Sequence, residues 1–250
     1  MAEKAKKANK PTMIGAHALL VQSIRIIRLN LGIIIKLAIL STIINVAISV
    51  LLKDDLANVY QGLWFTFYSC AILWVNRRIV HGNSNINLRE ALYDGTSPML
   101  KFLLVSFYVM LCTAPFSLGT FIFLNVNRLA LGSIFAIIVA GIILLLLSLA
   151  TIILISRSIF ALIVVTLPKI RPMQSLKISW ALTKGRSKQI FARLGVVIVY
   201  ASIIAGVFAL LISLTYLSIT TALVLLGILI NLFITPIFYT YLYQVYRELE

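Results

Sequence analysis

Acidic residues are scarce: seven Asp and Glu stand against 22 Lys and Arg in 250 residues, giving a formal net charge of +15. None of the seven lies inside a long apolar run. The paired carboxylates of proton relays and acid–base sites therefore have no residues to be built from at membrane depth. Cysteine is limited to Cys70 and Cys112. Two thiols make neither a disulfide framework nor a zinc site, and both sit in apolar surroundings where free Cys packs as a small hydrophobe. The two histidines, His17 and His81, are far apart and close to basic stretches, so they read as headgroup-level polar residues rather than ligands. G-x-S-x-G, H-E-x-x-H, the P-loop and paired C-x-x-C are absent, and Ser97 before Pro98 has no neighbouring His. Glu90 and Asp94 at i and i+4 have the spacing of a carboxylate pair, but beside Arg89 they read as a charged surface. No polar interval exceeds about two dozen residues, too few for a soluble catalytic domain. The chain reads as a non-enzyme with no cofactor.

Apolar residues are abundant, at 61% against 12% charged. They come in runs of about 20 or more, which indicates helical spans rather than the shorter alternating strands of a barrel. The fold class is all-α, an integral membrane bundle of six transmembrane helices with basic interfacial amphipathic helices. The spans fall at about 31–52, 59–80, 99–124, 130–156, 190–215 and 220–241. Pro115 interrupts the third and Pro236 the sixth; each removes a helix hydrogen bond, and Thr113 and Thr235 stand near enough to help satisfy local backbone groups. Trp64 and Trp74 lie toward opposite ends of the second span, as in an aromatic belt. The fourth apolar stretch runs on to 167. It is read as a tilted span to Ser156, with Arg157 at the boundary and the remainder continuing along or beyond the surface, or alternatively as two spans.

The polar intervals set the orientation. Residues 1–13 form a basic tail expected to be disordered, and 14–250 the membrane domain, opening with an interfacial helix from Ile14 to Asn30. Residues 53–55 (KDD), Asn125 to Arg128 and 215–220 (TYLSIT) make external turns. The tail and first helix carry six Lys or Arg, the 77–101 region four and the 157–193 region eight; the opposite face has only Lys53 and Arg128. Both termini are therefore expected to be cytoplasmic. Because the cations flank apolar spans, anionic membrane lipids or a membrane protein partner, and not nucleic acid, are the expected contacts.

The interval from Pro168 to Gln189 concentrates this charge in Lys169, Arg171, Lys177, Lys184, Arg186 and Lys188, without an acid. Pro172 stands where a helix begins and Gly185 where it stops. Met173, Leu176, Trp180 and Thr183 share one face at spacings of three and four, giving a basic amphipathic helix with Trp180 at headgroup depth. These six cations and Trp180 are the candidate contact residues. Few other polar groups lie within the spans: Lys36, Asn45, Gln61, Asn76 and Asn231 besides Ser, Thr and Tyr. A small transporter or channel component, with kinked spans three and six lining a path, is the second reading.

A shift of ninety residues sets Ala71 over Ala161, Val75 over Val165, and ALYDG at 91–95 over ALTKG at 181–185. This pattern suggests a parallel internal repeat with units at 59–124 and 130–215.

Arg157 ends a long span, and a basic helix follows in which Ser175, Leu176, Ser179, Trp180, Leu182, Thr183 and Gly185 spell S-L-x-x-S-W-x-L-T-x-G. This signature resembles the membrane-domain family associated with glycerophosphoryl diester phosphodiesterases, together with related bacterial multispan membrane proteins. Its specific part covers about thirty residues, while the six-span layout extends the likeness over most of the chain. Many relatives carry an acid before the basic helix, near the place of Lys169 here. The resemblance implies a module of the bacterial cytoplasmic (inner) membrane that engages lipid or supports the envelope. Hydrolysis in such proteins belongs to a separate soluble barrel, so no catalytic residue is carried over.

Overall fold

The computed structural model describes residues 15–52, 54–82, 86–129, 134–213 and 225–250, and every regular element among them is helical. The expected tail at 1–13 and the expected turn at 215–220 lie outside the described residues. Helix α1 (Ala16–Leu29) is followed after Asn30 by α2 (Leu31–Leu51). Next come α3 (Asp54–Val80), the short α4 (Leu88–Tyr93), α5 (Met99–Leu111) and α6 (Ala114–Leu129). Then α7 (Ile134–Ser158), α8 (Ala161–Val164), α9 (Pro172–Thr183) and α10 (Ser187–Ser213) lead to α11 (Leu225–Leu249). Five stretches are long and apolar enough to cross a membrane: Leu31–Leu51, Met99–Arg128, Ile134–Val164, Ser187–Leu211 and Leu225–Leu249. This is a multi-pass helical membrane protein.

Helix α3 stands apart from those five. Its 27 residues are about 40 Å of helix, long enough to span. Two Asp at its start, Arg77–Arg78 at its end and Gln61, Ser69 and Asn76 between lower its hydropathy. Its second half is buried instead, with Tyr68 through Asn76 except Trp74 inside the protein, whereas Leu56, Val59, Tyr60 and Phe65 of its first half are exposed. A stretch covered by other helices has no need of a lipid-compatible face.

One hydrophobic core holds the bundle, and it lies at one end. It joins Leu19 and Leu20 of α1, Leu37 of α2, the second half of α3, Phe102 of α5, Phe160 to Val165 around α8, Leu176 of α9, Ile190 of α10 and Tyr239 to Leu249 of α11. The same end carries Arg77, Arg157, the cations around α9, and Arg193. Toward the other end, Val50, Leu51, Phe121, Ile138, Leu145, Ile203 and Val207 are exposed, the condition of side chains that face lipid. There α6 and α7 pack closely as a hairpin, Gly119 facing Leu144 so tightly that a β-carbon would sit 3.2 Å from the Leu144 Cα.

The structure revises several sequence expectations. Asp54 and Asp55 belong to α3 rather than to a turn, and Asn125 to Arg128 continue α6. Residues 160–165 do not run along a surface; they turn into the core, where their small and β-branched side chains pack. Trp64 is not at a helix end. It lies within α3, donates through Nε1 to Ser41 Oγ at 3.1 Å and stacks on Phe67. Helix α11 continues past Tyr241 to Leu249 because its last three turns fill the core. At the break before Pro115 and the π turn before Pro236 the threonines bond to nearby carbonyls other than the ones the prolines free: Thr113 Oγ1 donates to the Met110 carbonyl at 2.7 Å and Thr235 Oγ1 to that of Ile230 at 3.2 Å.

Ala71, Ala161, Val75 and Val165 are all in the core, but the ninety-residue register is not kept by the backbone. Residues 71–80 are continuous helix, whereas 165–170 form turns. The matched glycines also differ. Gly185 is open with φ +77, whereas a β-carbon on Gly95 would lie 2.2 Å from the Ala91 carbonyl oxygen and 3.1 Å from Ala71 Cα. Gly185 serves a backbone conformation; Gly95 serves a close approach.

Candidate functional site

Helix α9 begins and ends as its sequence dictates. Pro172 occupies the first turn, where its missing N–H costs nothing, and Gly185 takes the positive φ that closes the helix. The residues expected to share its apolar face have two environments. Ser175, Leu176, Ser179 and Thr183 are buried, while Met173 is 71% and Trp180 37% exposed. The reason is size. Small hydroxylated residues let α9 lie close against α5, α7 and α8, and each hydroxyl finds a carbonyl. Ser175 Oγ donates to Pro172 O at 2.6 Å, Ser179 Oγ to Arg157 O at 2.5 Å and Thr183 Oγ1 to Ser179 O at 3.0 Å. The outer face is a stripe of Met173, Lys177, Trp180 and Lys184, apolar and cationic by turns.

Trp180 is fixed on that face. Its Nε1 donates to Ser158 Oγ at 3.2 Å, and the Arg157 guanidinium carbon lies 5.6 Å from its ring centroid. This is cation–π geometry. The Cys112 thiol reaches the same Ser158 hydroxyl at 3.8 Å. Of the sequence-predicted cations, Lys169, Arg171, Lys177, Lys184 and Lys188 are exposed and Arg186 is half-buried. None of the six has an acid within ion-pair distance among the described residues. Lys169 adopts φ +65, a left-handed conformation uncommon for a residue with a β-carbon. Arg193, which the charge census groups with these cations, is turned inward: its side chain is 6% exposed and bonded to Glu248 at 2.5 Å. Around the corner, Arg78 lies over the Trp74 ring at 5.0 Å.

A second site lies away from the basic end. Helices α2, α3 and α11 enclose a cavity of about 480 Å³ lined by Thr42, Asn45 and Ser49 of α2, Gln61 and Phe65 of α3, and Asn231 and Thr235 of α11, with Val46, Gly227, Ile228 and Ile230. Among the described residues, no lining side chain is ionisable. Gln61 Nε2 donates to Ser49 Oγ at 2.7 Å, and Ser49 Oγ to the Asn45 carbonyl at 2.9 Å. Below, Asn231 Nδ2 donates to Ser41 Oγ at 3.0 Å and Tyr68 OH to the Asn231 carbonyl at 3.1 Å, closing the floor toward the core. The backbone helps shape the site: Ile230–Ile234 is one turn of π-helix, a local widening often found at functional sites.

Sequence reasoning singled out Asn45, Gln61 and Asn231 as separate intramembrane amides, and the structure brings these three together. Asn76 is elsewhere, accepting from Thr240 Oγ1 at 3.0 Å, and Lys36 is exposed. A signal for the cavity is present in the sequence, since Thr42, Asn45 and Ser49 recur at i, i+3 and i+7 as a polar stripe on an apolar helix. Pro115 does not line it; its helix packs on α7, where the Phe116 N–H donates to Thr151 Oγ1 at 3.0 Å. Among the described residues, no group of three or more His, Cys, Asp or Glu is placed to hold a metal ion. Comparison of the chain with protein-family models, curated proteins and solved structures finds no match in any of the three.

Proposed function

We propose that this protein is a non-enzymatic membrane module of the bacterial inner membrane whose basic end engages anionic lipid headgroups. Counting the half-buried α3 as a sixth span puts both termini on the basic side, which the excess of Lys and Arg assigns to the cytoplasm. The observation that carries the reading is the set of cations around α9 that face outward with no acid beside them among the described residues. Unpaired exposed charge beside an apolar span is matched by a headgroup phosphate, which lies at the same depth. Met173 and Trp180 on the outer stripe supply the apolar half of an interfacial contact. The signature running from Arg157 to Gly185, with its likeness to the membrane-domain family of glycerophosphoryl diester phosphodiesterases, supports a membrane module and not a hydrolase.

The test is retention of phosphatidylglycerol by the purified protein after exchange into neutral detergent. Replacing Lys169, Arg171, Lys177, Lys184, Arg186 and Lys188 with Gln should reduce retention strongly, each cation contributing about 1 kcal/mol at low salt. High salt should weaken the unsubstituted protein in the same direction. Equal retention by both proteins at both salt levels discards the electrostatic role. Loss of a co-purifying subunit with lipid unchanged would instead make the basic end a protein-docking face.

A further inference from the structure

We propose that the cavity between α2, α3 and α11 is a binding site for an uncharged amphiphile, a lipid with a hydroxyl- or ester-bearing head such as a diacylglycerol. This inference is independent of the basic end, since no residue is shared between the two sites.

Two residues that line the cavity carry polar groups without partners among the described residues. Thr42 Oγ1 is buried and makes no hydrogen bond, and the half-buried Asn45 side-chain amide makes none either. A buried hydroxyl left unsatisfied is costly, and a ligand that supplies the missing partner recovers that cost on binding. Gln61 and Asn231 are already held by Ser49 and Ser41, so they present fixed amides rather than free rotors. Three helices thus converge hydroxyl and amide groups on one volume, and 480 Å³ is within the range of small-molecule sites.

The wall chemistry selects the class. With no Asp, Glu, Lys, Arg or His among the described lining residues, a phosphate, carboxylate or ammonium would be desolvated there without a counter-charge from them. The ligand head is therefore neutral. The remaining wall is apolar, and Val46, Phe65 and Ile230 are each more than a third exposed on the outside of the bundle. The cavity thus opens sideways at membrane depth, between helices that face lipid. A molecule entering by that route arrives from the bilayer and leaves its apolar part there. Closure of the floor by Tyr68, Asn231 and Ser41 makes the site a pocket rather than a continuous pore in this conformation.

The experiment uses the full chain in nanodiscs of neutral phosphatidylcholine, with a photoactivatable dioctanoylglycerol as the probe and glycerol and phosphatidylglycerol as competitors. Crosslinks should map to α2, α3 or α11 around the cavity and be displaced by unlabelled dioctanoylglycerol, but by neither competitor. Thr42→Val, which keeps the side-chain shape, and Asn45→Leu, which also fills the space, should each lower labelling at least fivefold, whereas Thr42→Ser should keep it. The six-cation variant should label normally, which separates failure here from failure at the basic end. Unchanged labelling in Thr42→Val and Asn45→Leu overturns the proposal. So does full competition by glycerol, which would mean a water-soluble polyol site, or by phosphatidylglycerol, which would mean that headgroup charge is accepted. Should Asn45→Leu fail to give a monodisperse protein, the near-isosteric Thr42→Val decides.

Discussion

Arg193 shows how far a residue's sequence neighbourhood can mislead. It follows a run of exposed cations and counts with them toward orientation, yet its guanidinium is inside the bundle. Tyr241 OH donates to its carbonyl at 3.1 Å, and Glu248 receives its charge. Glu248 is one of the two acids near the sequence's C-terminal end, and no local spacing links it to a residue 55 positions earlier. Only the approach of α10 to α11 creates the pair. Breaking a buried pair strands the surviving charge, so Glu248→Ala should destabilise the protein by about 3 kcal/mol. The double replacement Arg193→Met with Glu248→Leu should recover much of that loss. Thermal unfolding in detergent, followed by loss of the monodisperse peak, reads both variants. If the single and double variants lose the same stability, the pair is not what holds the two helices. Gly185, by contrast, could be read from one residue: a glycine after a helical pattern announced the positive φ that the backbone adopts.

At the scale of the element, helix existence was legible and helix environment was not. The long apolar runs located α2, α7 and α10 to within a few residues because lipid demands uninterrupted apolar sequence. Helix α9 was located equally well by Pro172 and Gly185, but the four residues grouped on its apolar face divide: Leu176 and Thr183 pack inside the protein and Met173 and Trp180 stay outside. Hydrophobicity alone gave no place to Ser175 and Ser179, whose value is smallness together with a hydroxyl that bonds to a carbonyl. Close helix packing in membranes favours such residues. Ser179→Leu should therefore cost about 2 kcal/mol through overpacking and loss of the bond to Arg157, whereas Met173→Ala should fall within about 0.5 kcal/mol of neutral. Denaturant titration of the two variants checks the ranking. The reverse order would return Met173 to the buried face. The cavity was half legible for the same reason: its amides could be named singly, but only packing sets α2 beside α3 and α11.

For the whole molecule, the positive-inside expectation gives an experiment of its own. A Cys introduced at Gln174, on exposed α9, should react with an impermeant thiol reagent only after permeabilisation. One at Asn127, exposed near the end of α6, should react in intact cells. The opposite pattern inverts the protein in the membrane. Equal access from outside at both positions excludes an odd number of crossings between them and, with it, the six-span count. Five helices among the described residues are long and apolar enough to cross a membrane, and the order of the chain foretold their positions better than their packing. Helix α3, expected as a span like the others, instead buries its second half against α2, α4, α5 and α11.

Because the core sits at the basic end, the bundle resembles a bouquet tied at the stems. The tied end has a fixed geometry, and the free end takes its spacing partly from the lipids between the helices. Spin labels at Val50 and Val207 should accordingly show a broad distance distribution that shifts when bilayer thickness changes, while labels at Arg89 and Lys177 keep a narrow one. Equal widths and no shift would show a rigid rod. With the bound end immobile and the cavity placed toward the loose one, the width of its side opening becomes a property shared between protein and membrane.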